Sequence, residues 1–193
     1  MIKTVFGNAM KNACTVLQDT QGDLRKLKCP PPSAVLTLRL QNLGGAAERT
    51  LLNALPTGNR KEDINTDHVY VIGLTAPTAQ KFSILRSAFS TARDGNTDPD
   101  NKVAFCRRID THKKPSVIYV GRSKKLRARI AQHLDDKSGR TYAMHMGRWA
   151  KALDLELAIS YITFTDKTDS LVQAVEDGLW MALKPALGKH GAR

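Results

Sequence analysis

The chain has 193 residues and carries 30 lysines and arginines against 18 acidic residues, a formal net charge of +12 at pH 7. Its hydrophobic content of 41% is enough to fill a core, which excludes a wholly disordered chain. No run of about 18 apolar residues is present, so we expect no transmembrane helix. Residues 1–7 also lack the long apolar run of a signal peptide. So large a positive excess on a short chain indicates a polyanionic partner, most simply nucleic acid.

The cysteines favour a reducing compartment. Cys14, Cys29 and Cys106 are widely spaced and include no CxxC pair. An odd count at such spacing is not typical of a disulfide framework or of a zinc site. We therefore expect three free thiols and a cytoplasmic protein.

Residues 1–65 are predicted to form a helical N-terminal extension. Residues 1–31 are weakly patterned and run into three prolines, which favour an extended linker. Ser33 is predicted to cap a helix that ends at the pair Gly44-Gly45. A second short helix is expected over residues 46–55, ending before a proline.

Residues 66–193 are predicted to form an α/β (α+β) domain, a small and mostly antiparallel sheet flanked by helices. Its first half should begin with a β-branched and aromatic strand at 68–74, followed by a helix from Pro77 to about Arg93. Residues 103–109 and 117–120 are predicted to pair with each other as a hairpin.

The second half of this domain is predicted to contain three helices and one strand. A helix capped by Ser123 should extend to about residue 134, with an apolar residue at every fourth position on one face. A helix over 141–153, a strand over 155–164 and a last helix from Asp169 to about residue 183 are expected to follow.

The positive charge is confined to one region. Residues 102–151 contain fourteen basic and three acidic residues, a net charge of +11, and the rest of the chain sums to +1. A solvated surface normally mixes both signs, so a local basic field marks an electrostatic footprint for phosphates.

The most informative run in this region begins at Tyr119. A strand would deliver Tyr119 to the edge of a site, and Gly121 would let the backbone turn sharply. The following helix would place Lys125, Arg129 and His133 on one face, because they are spaced at i, i+4 and i+8. The free N–H groups at its N-terminus favour a nearby phosphate. A hydroxyl, a guanidinium and an imidazole are thus expected to converge on a phosphodiester.

The run Tyr119-Val120-Gly121, with Arg129 and His133 in the helix, resembles the second signature of the GIY-YIG nuclease superfamily. Farther along the chain, Glu176-Asp177-Gly178-Leu179-Trp180 and the later Lys184-Pro185 resemble the glutamate helix of that family. Tyr70 on the strand 68–74 resembles the tyrosine of the first signature. The resemblance covers roughly residues 68–188.

The resemblance implies metal-assisted hydrolysis of a phosphodiester. Tyr70, or alternatively Tyr119, would be the general base, and nearby cations would have to lower a tyrosine pKa near 10 for that role. Arg129 would hold the scissile phosphate, and Glu176 would bind one divalent ion, Mg²⁺ or a similar cation. His133 would orient a tyrosine or contact the phosphate.

Further basic side chains are expected to contact nucleic acid. These nucleic-acid-binding candidates are Arg122, Lys124, Lys125, Arg127, Arg140, His145 and Arg148. Tyr142 is a candidate for lining the same site.

The sequence departs from the family pattern at two places. The two tyrosine strands of the family usually follow each other closely, whereas Tyr70 and Tyr119 are 49 positions apart. Either the helix at 77–93 is an insertion, or residues 103–106 are the first strand and Phe105 takes the tyrosine position. The family also often has an asparagine where this chain has Gly188.

We therefore expect a DNA endonuclease that requires a divalent metal, of the restriction or defence type. Two alternatives stay open: a non-catalytic nucleic-acid-binding module, and a structure-specific nuclease of repair or recombination. The expected partner is DNA, and we expect no association with a membrane. A palindromic target would predict a two-fold dimer of the chain.

Overall fold

The computed structural model describes residues 2–58, 65–112, 115, 117–135 and 141–191, with residues 2–8 described by their backbone alone. In this part of the chain there are five α-helices and four strands, and the α+β class is as predicted. In chain order these elements are α1 (Ile2–Lys26), β1 (Leu36–Arg39), α2 (Ala46–Asn53), β2 (Thr66–Leu74), α3 (Ala79–Asp94), β3 (Tyr119–Ser123), α4 (Leu126–Leu134), β4 (Glu156–Thr165) and α5 (Asp169–Leu183).

The four strands form one open antiparallel sheet in the order β1-β4-β2-β3. Strand β2 lies inside the sheet, where Tyr70 is opposite Gly121 of β3 and opposite Tyr161 of β4. All but one of the nine residues of β2 are buried, because helices cover both of its faces. The strand that carries Tyr70 is thus the most enclosed strand of the sheet.

The two faces of the sheet pack against different helices. Side chains alternate along a strand, so Val69 and Tyr70 point to opposite faces. Tyr70 belongs to the larger core, to which α2, α3 and α4 also contribute. Val69 packs with Phe164 and with Val172 of α5, and Leu27 at the end of α1 covers this second cluster. Helix α5 therefore lies on the face opposite to the larger core.

The pairing of β2 with β3 decides which strand neighbours Tyr119. Five residues of β2 pair directly with β3, whereas Phe105 forms only an isolated parallel bridge to Ala143. Helix α3 and the segment up to residue 118 are therefore inserted between two adjacent strands. The predicted strand over 103–109 and its hairpin with 117–120 are wrong. Backbone partners hold this segment elsewhere, at Ala143 and at Leu187.

The predicted helix that begins at Ser33 is also wrong, because residues 36–39 form strand β1. Leu36, Leu38 and Leu40 alternate at every second residue, which is the period of a strand. Ser33 exchanges hydrogen bonds with Tyr161 of β4: the Ser33 N–H donates to the Tyr161 carbonyl at 2.8 Å, and its hydroxyl accepts from the Tyr161 N–H at 3.0 Å. Part of the predicted N-terminal extension thus belongs to the sheet.

The predicted helix over 141–153 is replaced by irregular chain around a single 3₁₀ turn, Met146–Arg148. His145 adopts a left-handed conformation with φ 47°, which interrupts a right-handed helix. The peptide groups of Ala143 hydrogen-bond to residues 104 and 106 instead of to a helix.

The other predicted elements are confirmed, with changes at their ends. These are the helices over 46–55, 77–93, 123–134 and 169–183 and the strands over 68–74 and 155–164. Ser123 does not cap α4 as predicted, because it is the last residue of β3, and Lys125 stands at the N-cap without a side-chain hydrogen bond. Thr168, not Asp169, caps the last helix, because its hydroxyl accepts from the Leu171 N–H. The part of the chain that the structure describes contains no helix with the length and hydropathy of a membrane span.

Candidate active site

A cleft of about 640 Å³ opens at the β3 edge of the sheet. Its lining includes four of the predicted catalytic residues, which come from four different elements. These are Tyr70 on β2, Tyr119 on β3, Arg129 on α4 and Glu176 on α5. The structure thus brings together side chains that are up to 106 positions apart in the sequence.

Tyr70 lies at the base of the cleft and is hydrogen-bonded to His133. The two side chains are fully buried, and the Tyr70 hydroxyl oxygen is 2.9 Å from His133 Nε2. The backbone N–H of Met144 donates to His133 Nδ1 at 3.3 Å. Burial, with the nearby Arg129 charge, holds the pKa of His133 well below its usual value, so the ring is neutral. A neutral ring that accepts at Nδ1 carries its proton on Nε2, and therefore donates to the Tyr70 oxygen.

A side chain at Gly121 would collide with the rings of Tyr70 and Tyr119. A Cβ atom at this position would lie 2.6 Å from the Tyr70 hydroxyl oxygen and 2.7 Å from the Tyr119 ring. Contacts this short do not occur without a shift of neighbouring atoms. Gly121 lies within β3, so the sharp turn predicted at this position is wrong, and a glycine is required instead by the close approach of two tyrosine rings.

Arg129 connects the two tyrosines to the wall of the cleft. Its Nη2 donates to the Tyr142 carbonyl at 3.0 Å and lies 3.4 Å from the Tyr119 hydroxyl. It also interacts with the Tyr70 hydroxyl. The rings of Tyr70 and Tyr119 are stacked with their centroids 6.1 Å apart. A guanidinium therefore lies beside both candidate bases.

The expectation that nearby cations lower the tyrosine pKa below its ordinary value is wrong for the free protein. Burial raises the pKa of Tyr70 well above its ordinary value, and the neighbouring Tyr119 adds to this rise. Burial likewise raises the pKa of Tyr119. Arg129 opposes both rises without cancelling them. In the free protein both phenols are protonated at neutral pH because desolvation disfavours the phenolate.

Glu176 is the acidic member of the site. It is 7% exposed, and burial raises the pKa of its carboxyl to about 7, against the opposing charge of Arg122. Gln173 Nε2 donates to Glu176 Oε2 at 3.1 Å. A carboxyl with this pKa exchanges its proton near neutral pH, which is common at functional sites.

Arg122 is fixed beside Glu176 by two acids. Its Nη1 donates to the Asp169 carbonyl at 2.7 Å and lies 3.8 Å from Asp67 Oδ2, and its Nη2 lies 3.5 Å from Asp169 Oδ1. Asp67 is 5% exposed, at the start of β2. No sequence motif marks Asp67, and only its proximity in the fold shows that it positions Arg122.

The described lining of the cleft contains one carboxylate, Glu176, that could take part in holding a magnesium ion. The described residues contain no group of three histidines, cysteines or acids arranged for a metal. Mg²⁺ is commonly bound by one or two carboxylates together with waters and phosphate oxygens. Glu176 supplies one such carboxylate at the wall of the cleft. A site of this kind is completed by a bound phosphate, not by the protein alone.

The predicted nucleic-acid-binding residues are divided between the cleft and other surfaces. Arg122 lines the cleft, and Lys124 and Lys125 are exposed beside it, before α4 begins. Lys124 Nζ lies 3.4 Å from Asp169 Oδ1. Arg140 lies outside the described residues.

Three of these predicted contacts do not lie in the cleft. Arg127 donates to the carbonyls of Asn53 and Leu55 at 2.8–3.1 Å, which joins α4 to the end of α2. Arg148 donates to the Asn101 carbonyl and lines a different surface. His145 is fully buried against the Phe105 ring, a position from which its side chain does not reach nucleic acid.

Several cleft residues were not predicted as site residues, among them Gly188, Arg107 and Cys106. Gly188 has φ 114°, and a Cβ there would lie 3.1 Å from the Tyr119 ring, which explains the absence of an asparagine at this position. Arg107 lines the cleft and lies in the basic region, but no motif marks it. Cys106 also lines the cleft, and burial raises the pKa of its thiol to about 12, so it stays protonated.

Comparisons of the chain with protein families, with curated proteins and with solved structures find no significant match.

Proposed function

We propose that the chain is a Mg²⁺-dependent endonuclease that hydrolyses DNA phosphodiesters in the cleft, with the GIY-YIG type of site. The observation that carries the proposal is the convergence of Tyr70, Tyr119, Arg129 and Glu176 on one cleft beside Gly121. The residues that resemble the family signatures come from separate parts of the sequence. Their meeting at one place is not required by the motifs themselves.

The order of the elements also supports the proposal. Two adjacent paired strands carry Tyr70 and Tyr119, the next helix carries Arg129 and His133, and after another strand the last helix carries Glu176. This is the order that the resemblance implies.

In the proposed reaction Arg129 binds the scissile phosphate and stabilises the charge that develops on it. Tyr70 would first release its proton to solvent water in the cleft, and its phenolate would then accept a proton from the attacking water. Two donors on the Tyr70 oxygen, His133 Nε2 and the Arg129 guanidinium, would stabilise this phenolate, and the charge of a bound Mg²⁺ would lower the phenol pKa further. Glu176 would hold Mg²⁺, which supplies positive charge and polarises the phosphoryl oxygens when bound.

The test is cleavage of supercoiled plasmid DNA with Mg²⁺ and with EDTA. We expect Mg²⁺-dependent nicking or linearisation by the wild type, and a loss of at least about 100-fold in Glu176→Gln and Arg129→Ala, since each removes a transition-state contact. Glu156→Gln, an acid at the start of β4, is the matched control and should cut normally. Cleavage that survives both site substitutions would refute the site, and no metal-dependent cleavage on varied DNA would refute the enzyme.

A second candidate is a module that binds nucleic acid without cutting it. The raised pKa values of both tyrosines favour it, because a protonated phenol is not a base. Binding of a labelled duplex by fluorescence anisotropy, together with absence of cleavage from pH 6 to 9, would identify this module.

The cleavage products distinguish the two types of nuclease. A restriction-type enzyme produces discrete fragments from plasmid DNA. A repair or recombination nuclease instead cuts branched or flapped duplexes in preference to linear ones. The first outcome is the one we expect.

A further inference from the structure

A second pocket adjoins the cleft and is built largely by the insertion between β2 and β3. It has a volume of about 480 Å³. Four residues, Arg93, Arg107, Gly188 and Lys189, line both the cleft and this pocket. The two cavities are therefore neighbours along one continuous surface.

The local backbone places Arg107 next to Lys189. After α5 the chain runs antiparallel to residues 107–109, with a bridge between Arg108 and Leu187. The Gly188 N–H donates to the Arg107 carbonyl at 2.8 Å. Two segments that are about 80 residues apart in the chain thus present their basic side chains at the boundary between the cavities.

The charges of this pocket are unequal. Arg108 Nε lies 2.7 Å from Asp110 Oδ1, and Arg93 Nε lies 3.6 Å from Asp94 Oδ1, so these two arginines have acidic partners. Among the described residues no carboxylate lies within 4 Å of the charged atoms of Arg107 or Lys189, both of which are exposed. Two exposed cations without a local acid favour an anionic ligand.

The far wall of the pocket is aromatic. The Trp180 ring contacts the rings of His112 and His190, with centroid distances of 4.6 and 4.9 Å, and Trp180 and His190 line the pocket. Its indole N–H is buried without an acceptor among the described residues. A wall of this kind suits the sugar and base of a nucleotide, which combine apolar faces with hydrogen-bonding edges.

We propose that Arg107 and Lys189 bind a phosphate next to the scissile one, and that the second pocket holds the nucleotide attached to it. This inference rests on the proposed function, since it places a DNA strand in the cleft. It adds a direction to that strand, from the tyrosines past Gly188 toward Trp180. It also gives the insertion with α3 a role in holding substrate.

The experiment measures binding of a fluorescent 20-base-pair duplex by anisotropy in EDTA, at several salt concentrations. Arg107→Gln and Lys189→Gln should each weaken binding about three- to tenfold and lower the slope of log K against log salt by about 1. Arg107→Lys keeps the charge and should retain the wild-type slope. Arg39→Gln, on β1 at the opposite edge of the sheet, should change neither quantity.

A structural role alone would leave the salt slope unchanged, which is why the slope is the deciding measurement. This inference would be overturned if the wild type cuts plasmid and both glutamine variants bind DNA with the affinity and the salt slope of the wild type. The proposed function would then still stand. A wild type that neither binds nor cuts DNA would overturn both. Because the two substitutions lie on separate segments, misfolding of one variant leaves the other as a test.

Discussion

Replacing Glu176 by glutamine should stabilise the protein at alkaline pH while it abolishes the proposed activity. The carboxyl is 7% exposed, and its pKa is raised from 4.5 to about 7 by burial. Its native pKa lies above its unfolded value, so the native state holds this proton more tightly. The contribution of this carboxyl to the free energy of unfolding is therefore present at low pH and is lost as the pH rises from about 4.5 to about 7.

The size of the effect follows from the two pKa values. The difference between 4.5 and about 7, at about 1.4 kcal/mol for each pKa unit, sets a ceiling of about 3 kcal/mol. The carboxyl faces an open cleft, where solvent screens part of the cost, so we expect roughly 1–2 kcal/mol. Glutamine keeps the shape and can still pair with Gln173, but it does not ionise.

The assay is urea unfolding of the wild type and of Glu176→Gln at pH 5 and pH 8.5, followed by circular dichroism. At each pH the free energy of unfolding of the wild type is subtracted from that of the variant. This difference should be about 1–2 kcal/mol larger at pH 8.5 than at pH 5. Glu156→Gln, which lies outside the cleft, should show no such change with pH.

Two results would refute this reasoning. A difference between the wild type and Glu176→Gln that does not vary with pH would mean that the native carboxyl ionises normally. A difference that decreases as the pH rises would mean that Arg122 dominates over burial and holds the pKa below its usual value.

Three further substitutions give distinct outcomes. Gly121→Ala should lower the free energy of unfolding by about 1–3 kcal/mol, because its Cβ would lie 2.6 Å from the Tyr70 hydroxyl, and a denaturation midpoint equal to the wild type would contradict this contact. Tyr70→Phe should reduce the single-turnover rate of cleavage by at least about 100-fold with little change in DNA affinity, whereas an unchanged rate would remove Tyr70 as the base. Arg127→Ala should cost about 2 kcal/mol of stability through lost hydrogen bonds to the Leu55 and Asn53 carbonyls, and a weaker DNA affinity at unchanged stability would show instead that Arg127 binds phosphate.

Local sequence patterns correctly predict most of the helices and strands that carry the candidate site residues. The stripe of Leu126, Ile130 and Leu134 predicted α4, and these residues are buried in the structure. The strand around Tyr70 was predicted from β-branched and aromatic residues, and it is one of the two interior strands of the sheet. Patterns of this kind succeed because the spacing of apolar residues along the chain reflects which face of a helix or strand is buried.

Elements whose partners are distant in the sequence were predicted poorly. The segment at 36–39 has a strand period, but its strand is fixed by pairing with β4, about 120 residues later. The segment 103–109 has strand-like composition, yet its peptide groups pair with residues 143 and 186–188. Such partners are set by tertiary packing, which single-sequence patterns do not contain.

For the candidate site, sequence patterns predicted the side chains that meet in the cleft but not their environments. Burial determines the pKa direction of both tyrosines and of Glu176, and burial is a property of the fold. The same limit explains why the predictions for Arg127 and His145 are wrong. Both were predicted to bind nucleic acid because they lie in the basic region of the sequence. Charge in the sequence shows where a field can form, but only the fold shows which side chains point into the cleft.

The central claim is that one DNA phosphate lies in the cleft between Arg129 and Glu176. The most direct measurement is a crystal structure of the protein bound to duplex DNA without divalent metal. We predict a phosphate oxygen within hydrogen-bonding distance of the Arg129 guanidinium, with the neighbouring phosphate near Arg107 and Lys189. DNA bound on another face of the protein, with the cleft empty of phosphate, would contradict the claim.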